Sequence, residues 1–361
     1  MIIKSHNRFW RLNLINCVYQ LTSPKKINLK FKDININNKV IVKPEYMSIC
    51  HADQRYYRGK RAADILKKKL PMALIHECCG VVLKDNTNKF LPGTKVVLIP
   101  NILAQNHDDN NKNIYENYEK GSKFRSSGVD GFMQEIIAID NNRLVAFDCD
   151  SDCEINNYIF AITELVSVAV HSVKRFLKNI YNSGKNKKIA VFGDGNVGFL
   201  VSLVLKKIIP DSEIIIIGRH EEKLANFSFA NKIFLDSEIP ENLEFNHAFE
   251  CTGNAGSFFA INNIINHINP QGTVILMGVS EEKILINTRN ILEKGLKFIG
   301  CSRSGYEDFL DSVKIMQDKK ISKRILNLIT FGGNINSISD IHRVFDEVLH
   351  VPFKLVFKWN L

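Results

Sequence analysis

The chain has 361 residues, 45% of them hydrophobic and 24% charged, with a formal net charge of +10. This length favours two domains, and the composition is that of a soluble folded protein with a sizeable core, which excludes disordered and fibrous classes. The basic residues are scattered, with Lys67-Lys68-Lys69 as the one short run, so the charge suits an anionic small molecule and no nucleic-acid motif accompanies it.

Eight cysteines are spread along the chain without a C-x-x-C pair, so no secreted disulfide framework is visible. Arg11 and Asn13 interrupt the N-terminal apolar run, which makes it a poor signal peptide. No stretch is long and apolar enough to span a membrane. These features place the protein in the reducing cytoplasm, with no membrane or nucleic-acid partner.

In chain order, Met1–Asn16 reads as a loosely held extension. From Cys17 to Phe147 the chain is mostly short strands and loops, at Lys39–Lys43, Cys79–Leu83, Thr94–Ile99 and Phe132–Ile139. Such spacing predicts an all-β unit of barrel type. Gln105–Lys123 is polar and has the length of a lobe or flexible loop. Helical spacing begins at Ile155–Phe176. Strands then alternate with helices, at Ile189–Phe192, Ile214–Ile217, Lys232–Leu235, His247–Glu250, Thr273–Met277 and Phe298–Gly300. That is the pattern of one parallel Rossmann sheet with crossovers. The tail adds helices Glu307–Gln317 and Ser339–Leu349 and a strand Phe353–Trp359, which returns to the first domain and makes it discontinuous.

Lys187–Pro210 carries the strongest local signal. The apolar run Ile189–Phe192 leads into Gly193-Asp194-Gly195-Asn196-Val197-Gly198. Helical spacing follows through Leu200, Val201, Val204, Leu205 and Ile208, until Pro210 stops it. Gly193 suits the tight turn, Gly195 lets a pyrophosphate approach the backbone, and Gly198 lets helix and strand pack closely. The helix start then offers free N–H groups to phosphates. The bland reading is an ordinary tight turn. The next strand ends in Gly218-Arg219-His220, with Lys223 one turn later. No carboxylate stands where an NAD ribose would be read, and Arg219 suits a 2′-phosphate, so NADPH is expected. The rival reading has Arg219 merely starting a solvated helix.

Four side chains of metal-ligand type sit in suggestive places. Cys50 follows a strand and turn, His76 and Glu77 precede the strand at Cys79, and Glu164 lies in an otherwise apolar helix. Thiolate, imidazole and carboxylate suit zinc. From residue type alone the alternatives stay open: Cys50 as a core residue, His76 and Glu77 as a surface pair, Glu164 in a helix–helix salt bridge. Cys78 and Cys79 rival His76, although neighbours on a strand point apart.

Several segments together resemble a larger pattern. CHADQRYY at Cys50–Tyr57, IHECCGVV at Ile75–Val82, DGFMQE at Asp130–Glu135, TELVSVAVHSVKRF at Thr163–Phe176, GDGNVG, and FECTG at Phe249–Gly253 resemble the zinc-dependent medium-chain dehydrogenase/reductase superfamily. Within it, KLPMALIHE, FRSSGVDGFMQE, GVSEEKILINTRNILEKGL and IGCSRSG look most like the ribulose-5-phosphate reductases, also called ribitol-5-phosphate 2-dehydrogenases. The resemblance implies an α/β protein in two parts: a GroES-like β-rich catalytic domain, residues 1–155 and 303–361, and a Rossmann NADP-binding domain, residues 156–302. It implies one catalytic zinc on Cys50, His76, Glu77 and Glu164, with Asp53 orienting His76, and a homo-oligomer. It also implies NADPH on Gly193, Gly195, Asn196, Val197, Gly198, Arg219 and Lys223.

Two departures from alcohol dehydrogenases accompany the resemblance. Pro100–Asp130 has no cysteine for a structural zinc, and Ala52 stands where a hydroxyl often begins the proton relay. The relay then starts at metal-bound water, Glu77 or His51. The implied reaction is reduction of the C2 ketone of D-ribulose 5-phosphate, supplying CDP-ribitol for wall teichoic acid or capsular polymers, with a cytidylyltransferase as candidate partner. The ketose phosphate needs cations beyond the zinc, and Arg125, Arg55 and Arg303 are the candidates. Rival readings are a polyol dehydrogenase acting on unphosphorylated sugar alcohols and a non-catalytic NADPH-binding protein.

Overall fold

The run Val40-Ile41-Val42 opens the strand Val40–Ser48, and all three side chains are buried. β-Branched residues pack well in such a covered strand. In the computed structural model, which describes residues 13–108, 115–148, 157–180 and 187–361, this strand is central to a seven-stranded sheet. The spatial order is Leu144–Ala146, Lys95–Leu98, Glu77–Asp85, Val40–Ser48, Lys354–Trp359, Ile329–Ile335, and Ile137–Ile139 also pairs with Val40–Ser48. The last strand of the chain thus lies antiparallel to an early one, with Val356 opposite Ser48. Met47, Leu74, Phe132, Phe357 and Trp359 meet in the core of this half.

The second sheet has six parallel strands in the order Lys232–Leu235, Glu213–Gly218, Lys188–Phe192, Phe245–Glu250, Ile268–Leu276, Lys297–Gly300. Counted along the chain this is 3-2-1-4-5-6, the doubly wound order that opens a ligand crevice where the direction of winding reverses. Its central strands are buried apolar runs, Ile189–Phe192 and Ile214–Ile217, as helices on both faces require. Between the two sheets runs the helix Thr163–Asn179, which buries Val166, Ala169, Val170 and Val173. It is tied to the helix Tyr306–Met316 by His171 Nδ1 against Asp308 Oδ2 at 2.8 Å and by Lys174 Nζ against Asp308 Oδ1 at 3.1 Å. The protein is therefore α/β, with a Rossmann sheet beside a β-rich unit. Among the described residues no helix is long and apolar enough to cross a membrane.

Some sequence expectations change. The end of the Met1–Asn16 extension is not loose: Asn13–Ser23 is a strand paired antiparallel with Lys26–Asn35. Residues 1–12 lie outside the described residues, as do Cys149, Cys153 and the middle of Gln105–Lys123. The expected strand Phe132–Ile139 is a strand only at Ile137–Ile139. Earlier in that segment the backbone turns into the loop before Glu77, with Phe132 N–H donating to the Ile75 carbonyl at 2.7 Å.

Candidate active site

The helix His51–Tyr57 starts directly after Cys50, which is its N-cap. Asp53 closes that cap by accepting from the Cys50 N–H at 3.2 Å. Facing it, the chain enters the strand Glu77–Asp85 through Ile75, whose φ is +70°. A β-branched residue there stores about 1–3 kcal/mol of strain. Two bonds hold the strained turn: Ile75 N–H to Asp53 Oδ1 at 3.1 Å, and the Phe132 N–H to the Ile75 carbonyl. The turn delivers His76 and Glu77 to Cys50. Ligand atoms of the three side chains all lie within 4.8 Å of one another.

Asp53 is fully buried and also accepts from Ser126 Oγ at 2.5 Å. Its Oδ1 lies 3.4 Å from His76 Nδ1. Burial acts to raise the Asp53 pKa, but the charge of His76 and the Ser126 and Ile75 donors hold it below the ordinary carboxylate range. Burial acts to lower the His76 pKa, and the adjoining Asp53 and Cys50 charges carry it well above the imidazole range. Glu77 is wholly buried, and its Oε1 accepts from Lys354 Nζ at 2.7 Å. Lys354 comes from the last strand, is itself buried, and also donates to the Ile49 carbonyl at 3.2 Å.

Glu164, at the start of the helix Thr163–Asn179, is buried beside this group. Burial raises its pKa to about 7, with the His76 charge opposing and Glu77 reinforcing. The helix–helix salt bridge that stood as the alternative for Glu164 is not formed among the described residues. His76 and Glu77 are not a surface pair, because both are buried. The donor set fits zinc: Glu77 Oε2 is buried without a hydrogen-bond partner, next to a thiol and an imidazole. Cys78 and Cys79 stand outside the group, their Sγ atoms directed at the carbonyls of Cys79 and Asn157.

At the switch point of the parallel sheet a cavity of about 460 Å³ is lined by Gly193, Asp194, Gly195, Arg219, His220, Lys223, Asp236, Thr252 and Phe259, among others. Gly193 has φ +126°, which only glycine adopts freely. A Cβ on Gly198 would stand 1.9 Å from the Gly193 carbonyl oxygen, so this glycine is required by packing. A Cβ on Gly195 would meet nothing within 4 Å, leaving an open cradle at the helix start that a diphosphate fits. Asn196 and Val197 open that helix, Asn196–Ile208, and Asn196 Nδ2 donates to the Phe353 carbonyl at 3.1 Å. Arg219 Nε pairs with Asp236 Oδ2 at 2.7 Å, and its guanidinium lies 6.0 Å from the Phe259 ring. Asp194 Oδ2 accepts from the N–H groups of Arg219 and His220, at 2.6 and 2.8 Å, and contacts His220 Nδ1 at 3.0 Å. Its side chain fills the space beside Gly218: a Cβ there would lie 2.7 Å from Asp194 Cβ.

Comparisons with known proteins match this geometry. Residues 36–148 match the alcohol dehydrogenase GroES-like domain. The ribulose-5-phosphate reductase of Streptococcus pneumoniae is 47% identical over 350 residues, covering 96% of this chain and 98% of that protein. Ribulose-5-phosphate reductase 1 of Staphylococcus aureus is 44% identical, covering 96% and 99%. The crystal structure of S. aureus TarJ in complex with NADPH aligns with a TM-score of 0.83 at 38% identity, covering 96% of this chain and all of that one. This chain belongs to the ribulose-5-phosphate reductase family. The L-idonate 5-dehydrogenase of Escherichia coli, at 17% identity and a TM-score of 0.81, shares the fold.

For a reductase of this family the three candidate substrate arginines stand very differently. Arg303 has φ +57° and lies 4.8 Å over the Phe124 ring, and that ring lies 5.3 Å from His76. Its guanidinium has no ion pair among the described residues. Arg55 is paired with Glu281. Arg125 stacks 5.5 Å over Phe132 and donates to the Asp130 carbonyl at 3.2 Å. It lines two polar cavities that include none of Cys50, His76 and Glu77. Sequence reasoning missed Lys354, Asp194, Arg61 and Glu281. No local signal singles out Lys354, because the run Phe353–Trp359 holds two lysines, Lys354 and Lys358, and strand alternation sets both on one face.

Proposed function

We propose that this protein reduces D-ribulose 5-phosphate to D-ribitol 5-phosphate with NADPH and one zinc ion. The observation that carries the reading is the meeting of Cys50 with the buried His76 and Glu77, with an unpartnered carboxylate oxygen, in a chain that matches named ribulose-5-phosphate reductases over 96% of its length. When bound, zinc supplies Lewis-acid polarisation of the C2 carbonyl, and NADPH supplies the hydride.

The chain's own residues bind and orient. Cys50, His76 and Glu77 would hold the ion, with Glu164, buried beside them, as the exchangeable fourth ligand. Asp53 faces Nδ1 of His76 and so presents Nε2 to the metal. Gly193, Gly195, Asn196, Val197 and Gly198 seat the diphosphate, and Arg219 and Lys223 read the 2′-phosphate. The Nη groups of Arg219 remain for that phosphate while Asp236 holds Nε. The alcohol proton reaches the product through Glu77 or His51, because Ala52 offers no hydroxyl. Arg55 takes the substrate phosphate in preference to Arg125, whose guanidinium stacks on Phe132 and donates to the Asp130 carbonyl. The catalytic part comprises residues 1–155 and 303–361, and the NADP-binding part 156–302.

A second copy of the chain pairs with the edge strand Lys297–Gly300, and Val279, Leu285 and Leu292, in the segment that precedes it in the chain, are exposed apolar side chains. In the cytoplasm the product feeds a cytidylyltransferase and, through CDP-ribitol, wall teichoic acid or capsular polymer.

NADPH oxidation with a panel of ketose phosphates and free ketoses tests the reading. Ribulose 5-phosphate should be strongly preferred over ribulose, and equal rates would return the protein to the polyol dehydrogenases. Arg55→Met should raise the KM for ribulose 5-phosphate about tenfold or more, the worth of a charge-assisted bond. Arg125→Met should leave that KM near its starting value.

A further inference from the structure

Two arginines and one carboxylate meet between the two halves of the molecule, and only Arg55 has entered the proposed reaction. Arg55 lies on the helix that follows Cys50, and Arg61 four residues beyond the end of that helix. Both guanidinium groups reach the same oxygen, Oε1 of Glu281: Arg55 through Nη2, Arg61 through Nη1 at 3.2 Å. Glu281 belongs to the other half of the molecule. It follows Val279, whose carbonyl oxygen is 3.0 Å from where a Cβ on Gly253 would stand, and Gly253 lines the cofactor cavity. The arginine side chains are 16% and 24% exposed, whereas that of Glu281 is 55% exposed. The cations are therefore built into the wall and the anion hangs on from outside.

The arginines are under-used. Arg61 Nε is buried and has no hydrogen-bond partner. The Arg61 guanidinium is held over the Tyr56 ring at 5.0 Å, so its plane is set before any ligand arrives. A guanidinium binds a tetrahedral oxyanion through two parallel N–H groups, and Arg61 gives Glu281 only Nη1, so the adjoining Nη2 is the unused member of such a fork. Arg55 lies five residues after Cys50, about 7.5 Å along a helix at 1.5 Å per residue. In ribulose 5-phosphate three carbons and an ester oxygen separate C2 from phosphorus, a span of the same order.

We propose that Arg55 and Arg61 form the seat of the substrate's phosphate dianion, and that the Glu281 carboxylate occupies this seat until the phosphate displaces it. The inference rests on the proposed ketose-phosphate reaction and names the subsite within it. A phosphate monoester carries a charge of about −1.5 to −2 at neutral pH and three strong acceptor oxygens, so it outcompetes one solvent-exposed carboxylate for two arginines. Displacement also unties the two halves at this rim, so that filling the seat and moving the halves are one event.

The test compares wild type, Glu281→Gln and Arg61→Met as full-length, zinc-loaded enzymes. Inorganic phosphate serves as competitor, and ribulose 5-phosphate and ribulose as substrates. With its competing charge removed, Glu281→Gln should lower the KM for ribulose 5-phosphate and the inhibition constant of inorganic phosphate, each about two- to fivefold. Arg61→Met should reduce the preference for ribulose 5-phosphate over ribulose about tenfold and weaken phosphate inhibition by a similar factor. Unchanged constants in Glu281→Gln would overturn the displacement. Equal losses on both substrates in Arg61→Met, with phosphate inhibition intact, would overturn the seat. A wild type indifferent to the phosphate group would instead sink the substrate reading, while its phosphate inhibition compared with that of Arg61→Met still decides whether the arginines form an anion seat.

Discussion

Glu77 and Lys354 are the most consequential single pair in the protein, because neither charge has water to fall back on. Breaking a buried pair by removing one partner strands the other and costs about 3–5 kcal/mol, whereas replacing both is far milder. Lys354→Met should therefore lower the unfolding free energy by about that amount in urea titrations. The Glu77→Gln, Lys354→Met double variant should recover most of the loss. If the double variant is as weak as the single, the pair does not behave as a unit. The sequence made one side of this pair legible and hid the other. Cys50, His76 and Glu77 could be read because their residue types and order match a known pattern. Lys354 is set by register in a strand whose partner lies some 300 positions earlier, which no local pattern reports. The +70° φ of Ile75 was equally hidden, since isoleucine is the last residue that propensity would place there.

At the scale of elements, periodic apolar runs were readable and compensated polar ones were not. All six strands of the parallel sheet lie at or close to the expected runs; the central ones are apolar because a strand covered on both faces has little freedom in composition, whereas the edge strands Lys232–Leu235 and Lys297–Gly300 are only partly buried. The hairpin Asn13–Ser23 and Lys26–Asn35 escaped for two physical reasons. Its turn places Lys25 at φ +59°, where Gly or Asn would have announced a hairpin. Its second strand, KINLKFKDIN, leaves Leu29 and Phe31 exposed, so the alternation does not point to a core. The strand Ile329–Ile335 was obscured by Gly332-Gly333 in its middle.

The contact between the helices Thr163–Asn179 and Tyr306–Met316 has a pH signature. Burial acts to raise the Asp308 pKa, but the bond and charge of His171, the Gly305 N–H and Lys174 hold it below the ordinary carboxylate value. A carboxylate depressed in the folded state contributes stability above its unfolded pKa and loses it as pH falls through its folded pKa. Asp308→Asn should thus cost about 1–3 kcal/mol at pH 7. The gap to wild type should narrow progressively below about pH 4. A gap that stays constant with pH would assign the cost to shape and not to charge.

On the scale of the whole molecule, the two halves divide the labour cleanly. The candidate metal ligands come from the segments around Cys50 and His76, the candidate cofactor cavity from the parallel sheet, and the last strand returns to brace Glu77. Cys50→Ala should therefore lose zinc and turnover together, yet keep its NADPH affinity by fluorescence titration and its cooperative unfolding. Loss of NADPH binding in that variant would show that the halves are energetically inseparable. The sequence pointed to two parts because its texture changes from short strands to alternating strand and helix near residue 156. It did not reveal the cross-cleft contact of Arg55 and Arg61 with Glu281, which depends on how two separately coded halves come together.

The crowding beside Gly218 restricts how this enzyme's coenzyme preference can be re-engineered. The obvious conversion to NADH would install an acidic residue at the end of the second parallel strand. Here that place is already taken by Asp194, reaching over from the glycine-rich loop to the N–H groups of Arg219 and His220. Gly218→Asp alone should give a poorly folded protein with both coenzymes impaired, not an NADH enzyme. A route through sequence space has to vacate position 194 first, for example with Asp194→Gly, and only then fill 218. Measured coenzyme ratios for the two single variants and the double would trace that order of steps, and a functional NADH-preferring Gly218→Asp single variant would show that the detour is unnecessary.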